Sequence, residues 1–319
     1  MYMTKIAFVF PGQGSQTVGM LQGLAAKYPM IQQVFSEASA ALDYDLWELV
    51  QTDPTGKINQ TEFTQPAVLT AGVAVWRLWT ELNVVRPIVL AGHSLGEYTA
   101  LVCAGALSLP VAVRLVAQRG RLMQAAVPEG EGAMAAILGL TAPEVVTICR
   151  QITNGVVQAV NFNAPGQIVI AGQKAAVEQA ITAAKAAGAK RAMLLPLSVP
   201  SHCSLMRPAA DKLALDLAQV TWQPAVYPVL HNFDVSTHSA SEELINALVQ
   251  QLFNPVRWIE TIEKIKQSGV KLIIECGPGK VLTGLNKRIA ADVQCMAIGE
   301  PDGLDAALNL KEVTTHVET

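Results

Sequence analysis

An α/β fold, with a mainly parallel sheet flanked by helices and a small inserted unit, follows from three features of this 319-residue chain. Short apolar runs of strand character alternate with Ala-rich helical patterns, as they do where a parallel sheet is buried between two layers of helices. A serine stands between two glycines, Gly92-His93-Ser94-Leu95-Gly96, directly after one of these runs. Between about Glu131 and Pro196 the alternation gives way to the order βαββαβ, which can form a core of its own.

Taken along the chain, Lys5–Phe10 reads as the first strand and runs into the loop Pro11-Gly12-Gln13-Gly14-Ser15-Gln16. Helical periodicity follows near Val18–Lys27 and again at Ala67–Leu82, the second with Thr64 as cap and Pro66 in the first turn. Pro87–Ala91 is a buried strand, and a helix starts near Gly96. A helix capped by Ser108 comes next. The βαββαβ stretch consists of a strand Ala133–Leu138 and a helix opened by the capping box Thr141-x-x-Glu144. Strands Val156–Asn161 and Gln167–Ala171, a helix Lys174–Ala187 and a last strand Arg191–Leu195 complete it. The remainder gives a helix from Ser204 to Gln219, a strand near Tyr227–His231 and helices near Glu242–Phe253 and Val256–Ser268. A strand Lys271–Cys276 then turns at Gly277-Pro278-Gly279-Lys280 into a helix reaching Ala290, and Thr314–Thr319 reads as a frayed polar tail. The expected architecture is thus a hydrolase-like core built from residues 1–128 and 198–319, with residues 129–197 inserted as a ferredoxin-like subdomain.

Composition narrows the function classes. Apolar residues make up 51% of the chain and charged ones 15%, with net charge −3 and no basic block, so no nucleic-acid surface is indicated. No apolar run reaches the roughly 18 to 20 residues of a membrane span. Met1–Lys5 leads straight into a strand, so the cytoplasm is the expected location. Five cysteines without CxxC spacing read as reduced core thiols, and no metal site is expected.

A strand, a sharp turn and a helix around Gly-x-Ser-x-Gly push the serine oxygen out of the fold as a nucleophile, and a Cβ at either glycine would crowd the turn. Of five histidines, His202 in Val199-Pro200-Ser201-His202 stands where the chain re-enters the core, a favoured place for a pocket. His93 diverges from Ser94 on the same extended segment and lines a cleft rather than serving as base. No aspartate lies between Ser94 and His202, and the glutamates there belong to the elbow helix, a glycine-rich turn or exposed helix starts. The carboxylate of a hydrolase triad is missing from its place. A neutral carbonyl on Nδ1–H would fix the tautomer while stabilising imidazolium less. The Leu95 N–H supplies one oxyanion donor, and the Gly12-Gln13-Gly14 loop suits the second. Arg119 has Leu115, Val116, Leu122 and Met123 as its i±3 and i±4 neighbours, so its guanidinium points inward and needs an anion, either an internal partner or a substrate carboxylate.

Several uncommon motifs recur here in fixed order. They are Phe10-Pro11-Gly12-Gln13-Gly14-Ser15-Gln16, Gly92-His93-Ser94-Leu95-Gly96-Glu97, Gln118-Arg119-Gly120, Asn161-Phe162-Asn163-Ala164-Pro165-Gly166-Gln167, Val199-Pro200-Ser201-His202-Cys203, Gln251-Leu252-Phe253-Asn254-Pro255-Val256 and Glu275-Cys276-Gly277-Pro278-Gly279. Through them nearly the whole chain resembles the malonyl-CoA:acyl carrier protein transacylases of dissociated fatty-acid synthesis. The resemblance implies Ser94 as nucleophile, His202 as base, the Gln251 carbonyl as its orienter, and Gln13 and Leu95 as oxyanion donors. It implies Arg119 as the clamp for the malonyl carboxylate, with His93, Asn161 and Asn163 contributing to substrate binding. Phe162 stands where many relatives have Tyr, leaving no hydroxyl there. Coenzyme A thioester is then a substrate, no cofactor is held, and the partners are malonyl-CoA and an acidic carrier protein docking on Lys190, Arg191, Lys280, Lys287 and Arg288. The chain is expected to act as a monomer. Rival readings are a serine hydrolase or thioesterase, with Ser94, Glu275 and His316 as its triad, a trans-acting polyketide acyltransferase, and a non-enzymatic carrier-protein docking module.

Overall fold

A computed structural model describes residues 4–83, 85–197 and 199–310. In chain order the elements are β1 (Ile6–Phe10), α1 (Gln22–Lys27), α2 (Met30–Leu42), α3 (Leu46–Thr52), α4 (Thr61–Leu82), β2 (Val89–Gly92), α5 (Leu95–Cys103) and α6 (Leu109–Ala126). There follow β3 (Gly132–Leu138), α7 (Ala142–Gln151), β4 (Val157–Ala164), β5 (Gln167–Gln173), α8 (Lys174–Ala186) and β6 (Arg191–Leu194). After a 3₁₀ turn at Ser204–Met206 come α9 (Arg207–Ala218), β7 (Val229–Leu230), α10 (Ser241–Phe253), α11 (Trp258–Gln267), β8 (Leu272–Glu275), α12 (Val281–Ile289), β9 (Gln294–Ala297) and α13 (Pro301–Leu308).

The larger sheet is parallel, in the order β7-β2-β1-β8-β9. Its central strand β1 is fully buried, and the two-residue period of a strand divides that strand between two cores. Ile6, Phe8 and Phe10 face a cluster with α4, where Phe8 meets Trp76 and Trp79 edge-on at centroid distances of 5.2 and 5.3 Å. Ala7 and Val9 face Trp258 and Ile262 of α11. Both faces being covered explains why these strands read as continuous apolar runs rather than alternating ones.

The smaller sheet is antiparallel, in the order β4-β5-β3-β6, with α7 and α8 packed on it over a separate cluster that includes Ile137, Val145, Ile170 and Val177. This is the ferredoxin-like connectivity expected from the βαββαβ order. Its β4 edge is joined to the rest of the chain through Val256, whose N–H donates to Val160 O at 2.8 Å and whose carbonyl accepts from the Phe162 N–H at 3.0 Å.

Three local expectations change. The helix expected from Ala67 begins at Thr61, capped by Gln60, and carries Pro66 inside it. Thr64 is not the cap; its hydroxyl donates back to the carbonyls of Ile58 (2.6 Å) and Gln60 (3.0 Å). The first helix is also shorter than Val18–Lys27, since Leu21 at φ 62° interrupts it. Helices α2, α3 and α13 and strand β9 were not anticipated. His316 and Thr314–Thr319 lie outside the described residues. Among the described residues no helix is long and apolar enough to cross a membrane.

The elbow glycines are steric requirements. A Cβ on Gly92 would lie 1.9 Å from Gly96 C, and one on Gly96 would lie 2.1 Å from Phe10 O. Gly96→Ala should therefore cost about 3 kcal/mol or more of stability, since backbone rather than a side chain must move. Gly284, exposed in α12 with open space for 4 Å around the point a Cβ would occupy, serves as control. Gly284→Ala should gain about 0.5–1 kcal/mol from helix propensity, and urea unfolding of both variants checks the contrast.

Candidate functional site

The parallel pairing of β1 with β2 sets Phe10 beside Gly92, so the loop after one strand lies against the elbow after the other. His93 N donates to Phe10 O at 3.0 Å, and a Cβ on Gly12 would lie 2.5 Å from His93 O. That close approach is why glycine stands at position 12. Between these strand ends and the smaller sheet opens a cleft of about 650 Å³, lined among others by Gln13, His93, Ser94, Leu95, Arg119, Asn161 and His202.

Ser94 holds φ 52°, ψ −108°, a conformation that costs energy in any residue with a Cβ. Its N–H donates to Asn232 Oδ1 at 2.6 Å and its carbonyl accepts from Gln251 Nε2 at 2.9 Å. With the serine N–H thus occupied, the next N–H belongs to Leu95, a cleft-lining residue at the first position of α5, where a helix N–H has no intrahelical partner.

His202, also at positive φ (65°), is buried with Nε2 2.7 Å from Ser94 Oγ and Nδ1 2.7 Å from Gln251 O. A carbonyl only accepts, so Nδ1 carries the proton and Nε2 is left to take one from Ser94. Burial, then the neighbouring Arg119 cation, pulls the imidazole pKa down to about 3 against the stabilising pull of the Gln251 carbonyl. The imidazole is therefore neutral throughout the physiological range.

Arg119 comes off α6 fully buried. Nη1 donates to Gln65 Oε1 (2.8 Å), and Nη2 to Gln251 Oε1 (3.0 Å) and Ser94 Oγ (3.3 Å). Its hydrogen-bond partners are neutral, and among the described residues no carboxylate lies within ion-pair distance of it. Gly120 beside it lets α6 pack against α4, where a Cβ would lie 2.7 Å from Glu62 Cα. A buried guanidinium with no carboxylate within ion-pair distance, touching the Ser94 hydroxyl, has the chemistry to bind a carboxylate.

The remaining sequence-derived candidates separate. Gln13 lines the cleft and anchors its side chain on Thr61 Oγ1 (3.3 Å). Asn161 lines the cleft with its Oδ1 buried and unpartnered, whereas Asn163 Oδ1 holds His93 Nε2 at 2.8 Å and is not among the lining residues. The His93 ring packs on Trp258, and burial lowers its pKa. Lys190, Arg191, Lys280, Lys287 and Arg288 are exposed and none lines the cleft. Arg288 is engaged with Gln167 Oε1 and Pro165 O, tying α12 to the β4–β5 turn. Glu275 of the alternative triad spends its carboxylate on the N–H groups of Leu282 (3.0 Å) and Thr283 (2.6 Å), capping α12; His316 lies outside the described residues. Among the described residues no group of three His, Cys, Asp or Glu is arranged to hold a metal ion.

Sequence reasoning missed Gln65, Glu97, His231 and Asn232. All four are buried. Glu97, read as an ordinary residue of the elbow helix, accepts from the Asn232 N–H (2.8 Å) and Gln251 Nε2 (3.1 Å) and meets His231 Nδ1 at 2.8 Å. The neighbour test that turned Arg119 inward also applies to Glu97, whose i+3 and i+4 neighbours are Ala100 and Leu101.

A family model described as "Acyl transferase domain" matches residues 7–302. The malonyl CoA-acyl carrier protein transacylase of Escherichia coli strain K12 is 55% identical over 97% of this chain and 100% of its own, and that of Bacillus subtilis is 43% identical over 97% and 98%. The structure of the malonyl CoA-acyl carrier protein transacylase from Coxiella burnetii superposes with TM-score 0.95 at 48% identity, covering 99% of this chain and all of that one. A malonyl-transacylase solved in complex with a type II PKS acyl-carrier protein superposes at 0.94 with 52% identity, covering 96% and 99%.

The depressed His202 pKa makes a kinetic prediction. Acylation of Ser94 by a reactive ester should hold its rate as pH falls from 7 through the usual imidazole range, because the free base is lost only near pH 3. Arg119→Gln removes the adjacent cation and should move this acid limb upward. A wild-type limb near pH 6.5 would show that His202 is not held as described.

Proposed function

Since the chain belongs to the acyl transferase family, within its malonyl-CoA:acyl carrier protein transacylases, we propose that Ser94 carries the malonyl group in a ping-pong transfer between two thiols. The enzyme moves malonyl from coenzyme A to acyl carrier protein. The observation that carries the residue assignment is the buried Arg119 guanidinium, with no carboxylate within ion-pair distance among the described residues, in contact with a serine hydroxyl bonded to His202.

In the first half-reaction Ser94 Oγ attacks the thioester carbonyl as its proton passes to His202 Nε2. The developing oxyanion takes hydrogen bonds from the Leu95 and Gln13 N–H groups, and the malonyl carboxylate lies on Arg119. Collapse expels the thiolate of coenzyme A, which takes the proton back from His202. The carrier protein's phosphopantetheine thiol then enters, gives its proton to His202 and attacks the malonyl ester, and the tetrahedral intermediate expels the Ser94 oxygen, which takes that proton back from His202. Gln251 holds the histidine with a carbonyl rather than a carboxylate, which favours thiols over water as acceptor. Asn161, with its unpartnered buried oxygen, suits an amide N–H of the pantetheine arm. Coenzyme A thioester is substrate rather than resident cofactor, and we place the transfer in cytoplasmic fatty-acid biosynthesis by a monomeric chain. Lys190, Arg191, Lys280 and Lys287 form the proposed docking rim, with Arg288 already committed within the chain.

Mixing the enzyme with malonyl-CoA and no acceptor should give one rapid equivalent of free coenzyme A and a malonyl ester on Ser94, visible by intact-protein mass spectrometry. Steady release of coenzyme A would instead indicate a hydrolase. Arg119→Ala should slow acylation by malonyl-CoA by roughly 100-fold, the cost of losing a buried charge partner, and slow acetyl-CoA much less. An undiminished preference for malonyl would contradict the clamp. Reversing the charges of Lys190, Arg191, Lys280 and Lys287 together should raise the KM for carrier protein and leave that for malonyl-CoA unchanged.

A further inference from the structure

The catalytic groups of the cleft are neutral or positive, yet one carboxylate lies directly behind them. Glu97 sits one helical turn beyond Ser94 on α5, fully buried, and spends both oxygens on the site's supports rather than on His202. Oε2 accepts from the Asn232 N–H and from Gln251 Nε2, while Oε1 faces His231 Nδ1. Each of the first two partners continues to a functional atom. Asn232 Oδ1 holds the Ser94 N–H and its Nδ2 donates to Gly92 O at 2.6 Å. Gln251 presents Oε1 to Arg119 and its main-chain oxygen to His202.

We propose that Glu97 is the positioning residue that sets the elbow and the carboxylate clamp together. An amide side chain has a donor end and an acceptor end, and only its surroundings decide which way it faces. With the NH₂ group of Gln251 pinned between the Glu97 carboxylate and Ser94 O, its oxygen must face Arg119. The reverse orientation would aim a donor at a guanidinium and lose the fork that holds it. Through Asn232 the same carboxylate keeps the Ser94 N–H turned away from the cleft, leaving Leu95 as the elbow's oxyanion donor. An acid is therefore present at this site but acts one amide away from the histidine. Its place behind Gln251 orients the clamp without giving the imidazolium a carboxylate.

His231 makes the test clean. Its Nε2 is buried without a partner among the described residues. In Glu97→Gln, the new amide oxygen can accept from Asn232 and Gln251 while its NH₂ donates to His231 Nδ1, provided the imidazole proton moves to Nε2. Glu97→Ala offers no acceptor to any of them.

The inference rests on Ser94 being the acylated residue, which is verified first on the wild type with malonyl-CoA and acetyl-CoA; absence of a Ser94 ester there defeats the proposed function itself. With that ester present, Glu97→Ala should slow acylation by both thioesters at least tenfold, roughly what mis-set buried donors cost. Glu97→Gln should recover most of the rate, and ¹⁵N NMR of its imidazoles should show His231 switched to the Nε2–H tautomer. Should Glu97→Ala fail to fold, the folded Glu97→Gln variant decides alone. The switched tautomer with near wild-type acylation supports the proposal. A rate lowered as far as expected for the alanine variant despite the switched tautomer, an unswitched His231 at full rate, or an alanine variant as fast as wild type overturns it.

Discussion

The backbone of Ser94, held at φ 52° and ψ −108°, is the constraint on which the cleft depends. No regular element supplies such a geometry, and a residue with a Cβ does not keep it unless its surroundings over-determine it. Here they do so from both sides. Gly92 and Gly96 remove the atoms that would collide, Asn232 captures the N–H, and Gln251 captures the carbonyl. Parallel pairing of the two central strands then brings the Gly12 loop onto the elbow, so the N–H groups proposed as oxyanion donors are arranged by the same contacts that fold the sheet.

The second organising fact is where the charges are. A hydrolase triad would place its acid on the histidine, stabilising imidazolium and hence the activation of water. In this cleft the histidine receives a neutral carbonyl and feels a nearby cation, while the buried acid lies behind the glutamine. In the proposed mechanism this makes His202 a base with little hold on the proton it takes. That suits a serine attacking a thioester, whose thiolate leaving group readily takes the proton back.

Much of this was legible in the sequence because its signals are local. Glycine spacing around Ser94, the apolar neighbours of Arg119 and the βαββαβ order each occupy a single segment and predict its geometry directly. The expected start of α4 falls nearly two turns late because Pro66 reads as a first-turn residue, yet the packing of α4 against α6 overrides the missing N–H. Asn232, His231 and Gln65 were not legible, for a different reason. Their partners lie 54 to 140 residues away in sequence, and a polar residue buried by such contacts leaves no periodic trace. Glu97 stood between the cases: its apolar neighbours hinted at burial, but what it would bond to depended on strands not yet placed.

The ties at Val256 and Arg288 bear on the width of the cleft. Met134 and Asn161 line the cleft from the smaller sheet, whereas Ser94, His202 and Arg119 are anchored in the larger assembly. The two walls grow largely from separate hydrophobic clusters and are joined where β4 meets Val256, where Arg288 grips the β4–β5 turn, where Asn163 holds His93, and where Ala164 and Cys203 are buried in clusters that both walls share. Opening the cleft would therefore have to break buried packing as well as hydrogen bonds. Its width is set by two cores at once, so a substitution in either core can change it.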